Sequence, residues 1–268
     1  MKKALLRILP EPAANFLRTA KDGVSTLLEA PNAYLHPWRQ ESIEKLKALK
    51  DSHQGEQCVI IGNGPSLRDT DLLKLKNVFT VGMNRFYLAF PELGFTTSCL
   101  LSVNNLVIEQ CAEDFRKLSI PTFVTWRGRK WIRPSANLHY LYTSYLLPGF
   151  NGNATGRLWE GATVTYVAMQ LAYYMGFKQV VLIGVDHNFT SKGTPNSTVI
   201  SDGDDPNHFN PAYFGKGFRW QLPDLETSEL AYGMARDAYK KDGREILDAT
   251  INGKLTVFPK VKYDSLFQ

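Results

Sequence analysis

The chain has 268 residues, of which 44% are hydrophobic and 12% aromatic, enough for a core in one large α/β domain or two small ones. Its net charge of +5, from 31 basic and 26 acidic residues, is too small to mark a nucleic-acid-binding stripe. No stretch approaches ~20 uninterrupted apolar residues, so no membrane-spanning helix is expected. The three cysteines, Cys58, Cys99 and Cys111, form neither a C-x-x-C pair nor an even framework, which predicts buried reduced thiols and a cytoplasmic location.

In chain order, residues 1–30 carry Lys2, Lys3, Arg7, Arg18 and Lys21, with Phe16, Leu17, Ala20, Val24, Leu27 and Leu28 at near-helical spacing. The first apolar run is too short for a signal peptide and is cut by Pro10 and Pro12. A basic amphipathic helix of this kind lies on an anionic inner-membrane surface, or else packs on the domain or on a second copy of the chain. Residues 1–50 read as an N-terminal helical extension, with a polar helix around Glu41–Lys50, and residues 51–268 as a single catalytic domain.

From position 57 strands and helices alternate. Strands are expected at Gln57–Ile61, Val78–Gly82, Thr97–Val103, Thr122–Thr125, Leu138–Tyr142, Gln179–Ile183 and Glu245–Asp248. Helices are expected near 69–76, 105–117, 161–175 and 224–242. This alternation predicts an α/β fold with a mostly parallel, Rossmann-like sheet covered by helices on both faces. Gly161–Met175 is apolar almost all round and ends at Gly176, which suits a buried crossover helix.

The first strand, Cys58–Ile61, breaks at Gly62-Asn63-Gly64-Pro65, with Ser66 and Asp69 as candidate caps for the next segment. A strand, a glycine turn and a helix start together predict an anion site. In parallel sheets ligands bind beyond the carboxyl ends of the strands. Asn63, Asn84, Asn104-Asn105 and Asp186-His187-Asn188 all fall at such ends and predict a polar rim. The second strand ends in Met83-Asn84-Arg85 rather than an acid, the third fingerprint glycine is missing, and no Gly-Lys-Ser/Thr occurs. NAD and P-loop ATP are therefore disfavoured. Thr190–Pro206 is long and polar, as a mobile lid would be, and is followed by His208, Tyr213, Lys216, Arg219 and Trp220. His208 is a candidate general base, although a structural histidine accounts for the same local pattern.

The ordered set Gly62-Asn63-Gly64-Pro65-Ser66-Leu67, Asn84-Arg85-Phe86-Tyr87, Ala172–Val180, Gly184-Val185-Asp186 and Asn207-His208-Phe209 resembles the bacterial sialyltransferases of glycosyltransferase family 42. It resembles equally the family named for 6-hydroxymethylpterin pyrophosphokinase. The first resemblance implies a GT-A-variant fold and an inverting, cofactor-free and metal-independent transfer. An acid sugar (sialic, nonulosonic or Kdo-like) would pass from a CMP donor to a glycan or glycolipid of lipopolysaccharide or capsule. It places Gly62, Asn63, Gly64, Pro65, Ser66, Asn84, Asn104, Thr163, Asp186 and Asn188 around the donor. His208 would be the base and Tyr213 an acid or leaving-group ligand, with Lys216 and Arg219 on the donor's anionic groups. His187 and Asn188 stand where that family has tyrosines, and Gly161–Thr165 matches only loosely. The second resemblance implies ATP and Mg²⁺, with Asp186 as metal ligand. A non-catalytic partner that binds a nucleotide sugar is the reading from outside enzymes.

Overall fold

The computed structural model describes residues 29–190 and 193–267. The basic amphipathic segment expected over residues 1–30 lies almost wholly outside the described residues.

Eight of the strands pair into one parallel sheet in the order β10-β7-β1-β2-β3-β4-β5-β6. They are β1 (Gln57–Ile61), β2 (Phe79–Met83), β3 (Cys99–Ser102), β4 (Thr122–Thr125), β5 (Leu138–Ser144), β6 (Arg157–Trp159), β7 (Gln179–Ile183) and β10 (Glu245–Asp248). The fold is α/β and Rossmann-like, as expected. From β1 the chain runs outward through β6, then crosses back to place β7 on the other side of β1. The order of strands thus reverses between β1 and β7, and their carboxyl ends flank the crevice where doubly wound sheets bind ligands.

Helix α1 (Pro37–Lys47) packs against β5: its Leu46 joins the core, and its Ser42 Oγ accepts from Tyr140 N at 3.0 Å. This helix is part of the same body as the sheet. The expected helix at 105–117 is two short ones, α2 (Asn105–Gln110) and α3 (Ala112–Lys117), broken at Cys111 with φ −114°. The crossover helix α4 (Val164–Tyr174) is buried on nearly every face, and Gly176 follows it at φ +94°. The last long helix, α5, spans Leu225–Lys241. Cys58, Cys99 and Cys111 are buried free thiols, and burial pushes Cys99 up to about 12.

Two expectations are corrected. Residues 69–76 are not an α-helix: one 3₁₀ turn, Pro65–Asp69, ends there and a second, Leu72–Leu75, follows, restarted by Asp71 Oδ1 accepting from Leu73 N. The polar stretch after Thr190 also contains β8 (Thr198–Ile200), which pairs antiparallel with β9 (Arg219–Gln221). Runs of three residues, like that of β6, are too short to show a period of two.

Among the described residues no helix is long and apolar enough to cross a membrane.

Candidate functional site

Beyond β1 and β7 the two loops interlock. Gly62 N donates to Ile183 O at 2.8 Å and Gly64 N to Gly184 O at 2.9 Å. A Cβ on Gly62 would lie 2.1 Å from Gly184 O, and one on Gly64 would lie 1.8 Å from Asp186 Oδ2. At both positions the β7 loop occupies the space that a side chain would fill, which by itself calls for glycine. Asp186 accepts from Ser66 N at 3.0 Å and from Ser66 Oγ at 2.7 Å. The anion expected at the start of the turn after β1 is thus the chain's own carboxylate. Neither Ser66 nor Asp69 caps that turn with its side chain; its N-cap is Gly64.

Two adjoining chambers open on the same rim. The first is lined by Gly62, Asn63, Gly64, Asp186, Asn188 and the start of α4 among others. The second lies toward β3–β6 and is lined by Asn104, Tyr145, Glu160 and Trp220 among others. Asn84, Thr163 and His208 line both.

His208 stands where the chambers meet. Its Nδ1 lies 2.6 Å from Asp205 Oδ2, and the Asp205 side chain is only 4% exposed. A carboxylate accepts, so Nδ1 carries the hydrogen and Nε2 keeps its lone pair. The imidazole stacks on Tyr213 at 4.0 Å and 11°. Two arginines fix the backbone around it. Arg68 donates to the carbonyls of His208 (2.9 Å) and Phe209 (2.8 Å), and Arg85 donates to those of Ala212 (3.2 Å) and Tyr213.

Of the expected site residues, Gly62, Asn63, Gly64, Asn84, Thr163, Asp186, Asn188, His208 and Tyr213 come together around the first chamber. Asn63 donates through Nδ2 to Met83 O at 3.0 Å, and its buried Oδ1 has no partner. Asn84 is left-handed at φ +51°, with Oδ1 accepting from Ser102 Oγ at 2.9 Å. Thr163 caps α4 through its hydroxyl, which also lies 3.3 Å from the Tyr232 hydroxyl. His187 Nε2 sits 2.8 Å from Glu229 Oε1.

Other expected residues stand differently. Pro65 and Ser66 do not line either chamber, and Asn104 spends its Oδ1 on capping α2 and faces the second chamber alone. Tyr213 is fully buried; its hydroxyl accepts from Arg85 N at 3.3 Å, and burial raises its pKa well above the ordinary phenol range. Its ring offers His208 a stacking face. Lys216 is exposed and lines neither chamber. Arg219 also lines neither: it pairs with Glu109 at 3.0 Å, because β9 turns it toward α2. Asn207 Oδ1 accepts from Thr190 N (2.9 Å) and Oγ1 (3.0 Å).

Sequence reasoning missed Asp205, although the run Asp205-Pro206-Asn207-His208 carried the signal. It also missed the buried pair of Arg127 Nη2 and Glu160 Oε1. Burial lowers the Arg127 pKa, but Glu160 beside it more than offsets this and the net shift is upward. Those residues lie 33 positions apart, and only the adjacency of β5 to β4 and β6 joins them.

The chain can now be set beside known proteins. The family model described as 6-hydroxymethylpterin diphosphokinase MptE-like matches residues 33–192. No curated protein matches. Among solved structures, the MAf glycosyltransferase of Magnetospirillum magneticum AMB-1 is similar at 16% identity with a TM-score of 0.48. That similarity covers 84% of this chain and 38% of that one, so this chain spans well under half of that enzyme's length.

Proposed function

We propose that this chain, which belongs to the 6-hydroxymethylpterin diphosphokinase MptE-like family, is a group transferase that moves a glycosyl unit from a nucleotide-activated donor to an acceptor hydroxyl. The observation that carries this reading is the Asp205–His208 pair, 2.6 Å apart, at the junction of two chambers. His208 Nε2 takes the proton of the acceptor hydroxyl as its oxygen attacks the anomeric carbon. The bond from that carbon to the donor's phosphate oxygen breaks on the opposite face, so the configuration inverts. The departing phosphate gains charge near the first turn of α4, where Thr163 and unpaired helix N–H groups favour an anion.

Among the described residues, no Lys or Arg lines the first chamber. A sugar activated through a single phosphate, as in a CMP-linked acid sugar, suits such a wall better than a triphosphate. In this reading Asn63, Asn84, Thr163 and Asn188 contact the donor.

Diphosphoryl transfer is the second reading, and the family description favours it. It uses the same base on the same hydroxyl but calls for Mg²⁺ between phosphates. The rim carboxylates fit such an ion poorly. Asp186 gives both oxygens to Ser66, Asp205 serves His208 and Asn207 N, and Glu160 gives Oε1 to Arg127 and Thr143, so Oε2 is a single open oxygen where such an ion takes several. A soluble-enzyme assay separates the readings. The chain is incubated with CMP-, UDP- and GDP-sugars, and separately with ATP, Mg²⁺ and hydroxymethylpterin, and nucleotide release is followed. Release from a CMP-sugar is expected; AMP release with a diphosphorylated pterin would overturn glycosyl transfer in favour of the second reading. A protein that binds a nucleotide sugar and releases nothing would be a non-catalytic partner. Location at the inner membrane and association of copies belong to the proposal and do not follow from the site.

A further inference from the structure

The second chamber has a chemistry of its own. Its walls carry the rings of Tyr145, Phe189 and Trp220 and the polar groups of Asn84, Asn104 and Glu160, and no lysine or arginine among the described residues. Glu160 lies in the wall with its side chain 4% exposed. One oxygen, Oε1, accepts from Arg127 and from Thr143 Oγ1 at 2.6 Å, and Oε2 has no partner among the described residues. A carboxylate oxygen left open at a cavity wall can accept from a ligand hydroxyl. The amides are polarised the other way. Asn84 Oδ1 is taken by Ser102, and Asn104 Oδ1 by Leu106 N and Val107 N, so the NH₂ is the group each of these lining residues has left to offer.

These groups come from the ends of β2, β3 and β6, strands spread along the sheet, so they stand at separate points of the wall. Aromatic faces meeting C–H groups, ringed by separate donors and acceptors, match a sugar ring: apolar above and below, hydroxylated around its rim. A planar heterocycle would present its polar atoms along one or two edges, and an anionic acceptor would find no cation in the lining. Arg127 stacks on one face of Tyr145 at 4.8 Å, and the Tyr145 residue remains 45% exposed at the mouth. His208 lines this chamber as well as the first, so a hydroxyl of a ring seated here falls within reach of Nε2.

We propose that the second chamber is the acceptor subsite, built for a neutral sugar ring, and that Glu160 is the residue that determines this specificity. The inference rests on the glycosyl-transfer reading, and its test is chosen to fail separately from it. Saturation-transfer NMR on the full chain, without donor, compares methyl β-galactopyranoside, methyl galacturonate and pterin. The neutral glycoside is expected to bind and the uronate to bind more weakly. Glu160→Gln removes a hydrogen bond to a charged acceptor and is expected to weaken glycoside binding about tenfold or more. Should that variant fold poorly, Tyr145→Ala, at the exposed mouth, is expected to weaken the same binding. Preference for pterin or uronate, no binding of any probe, or equal glycoside binding by Glu160→Gln and wild type would each overturn the assignment. Nucleotide release from donor with water as acceptor is measured in parallel on wild type. Release without glycoside binding sinks this inference alone, whereas glycoside binding with no donor cleaved sinks the transfer reading.

Discussion

Asp186, beyond β7, accepts two hydrogen bonds from Ser66, beyond β1, one from the backbone N–H at 3.0 Å and one from the hydroxyl at 2.7 Å. The pair closes the crevice floor at the point where the strand order reverses. A carboxylate that satisfies a 3₁₀ turn in this way acts in stability first. It also keeps the turn's positive end from reaching a donor phosphate.

Asp186→Ala is therefore expected to cost stability, because Ser66 is 7% exposed and would keep an unpaired N–H and hydroxyl. Unsatisfied buried groups of this kind cost ~1–3 kcal/mol each, so the loss for the two should be about 2–6 kcal/mol. Urea unfolding measures it as a lower midpoint at constant slope. An unchanged midpoint would show that the clip carries nothing, and would free Asp186 for a ligand role.

Gly64→Ala should act through the same clip. The new Cβ would fall 1.8 Å from Asp186 Oδ2, which must swing away. Lower thermal stability is expected together with weaker donor binding, the second following from the first. A variant with wild-type melting and lost nucleotide affinity would restore the reading of this glycine as a direct ligand contact. Gly62→Ala should be worse, because there the obstacle is the backbone carbonyl of Gly184 at 2.1 Å.

Lys216→Gln and Arg219→Gln should leave donor affinity unchanged by titration calorimetry, since neither side chain lines a chamber. Arg219→Gln gives up a half-exposed pair with Glu109, worth at most ~1 kcal/mol. A clear loss of affinity in either variant would mean that residues 201–218 rearrange around bound donor.

The sheet was legible because buried β-branched runs such as Val180–Ile183 carry their own signal, and glycines mark their ends. The rim asparagines were legible for the same reason: they follow those strands directly. What stayed hidden depends on pairing between distant segments. Nothing local says that Gly62 and Gly64 are small to admit Gly184 and Asp186, or that Arg127 meets Glu160 across β5. Asp205 looked like one acid of a polar loop, because its role appears only when β8 and β9 hold that loop against the rim. Lys216 and Arg219 looked functional by proximity in sequence to His208, yet β9 directs Arg219 to α2.

Transfer is expected to survive EDTA in the glycosyl reading, since Asp186 and Asp205 are engaged by Ser66 and His208, and Glu160, paired with Arg127 through Oε1, has a single open oxygen. Activity would be followed as nucleotide release from donor, with EDTA and then with added Mg²⁺. Abolition by EDTA with recovery on Mg²⁺ would favour diphosphoryl transfer and require at least one of these pairs to open.

The sharpest expectation concerns Asp205 and His208 together. Asp205 holds the Nδ1 hydrogen, which leaves Nε2 as the ring nitrogen that can act as a base. Asp205→Asn keeps the size but replaces an acceptor with an amide that donates through its NH₂, which favours the other tautomer and turns Nε2 into a donor. His208→Ala should lower turnover by ~10²–10⁴-fold, with donor affinity nearly kept. Asp205→Asn should lose much of the same factor in kcat while KM stays close to wild type. Combining the two should cost little more than His208→Ala alone, since both act through one proton transfer. A double variant whose losses multiply would show that Asp205 acts elsewhere. Normal turnover by His208→Ala would make the imidazole a packing element on Tyr213, and His187, held by Glu229 on the first chamber's wall, would be the next base to examine.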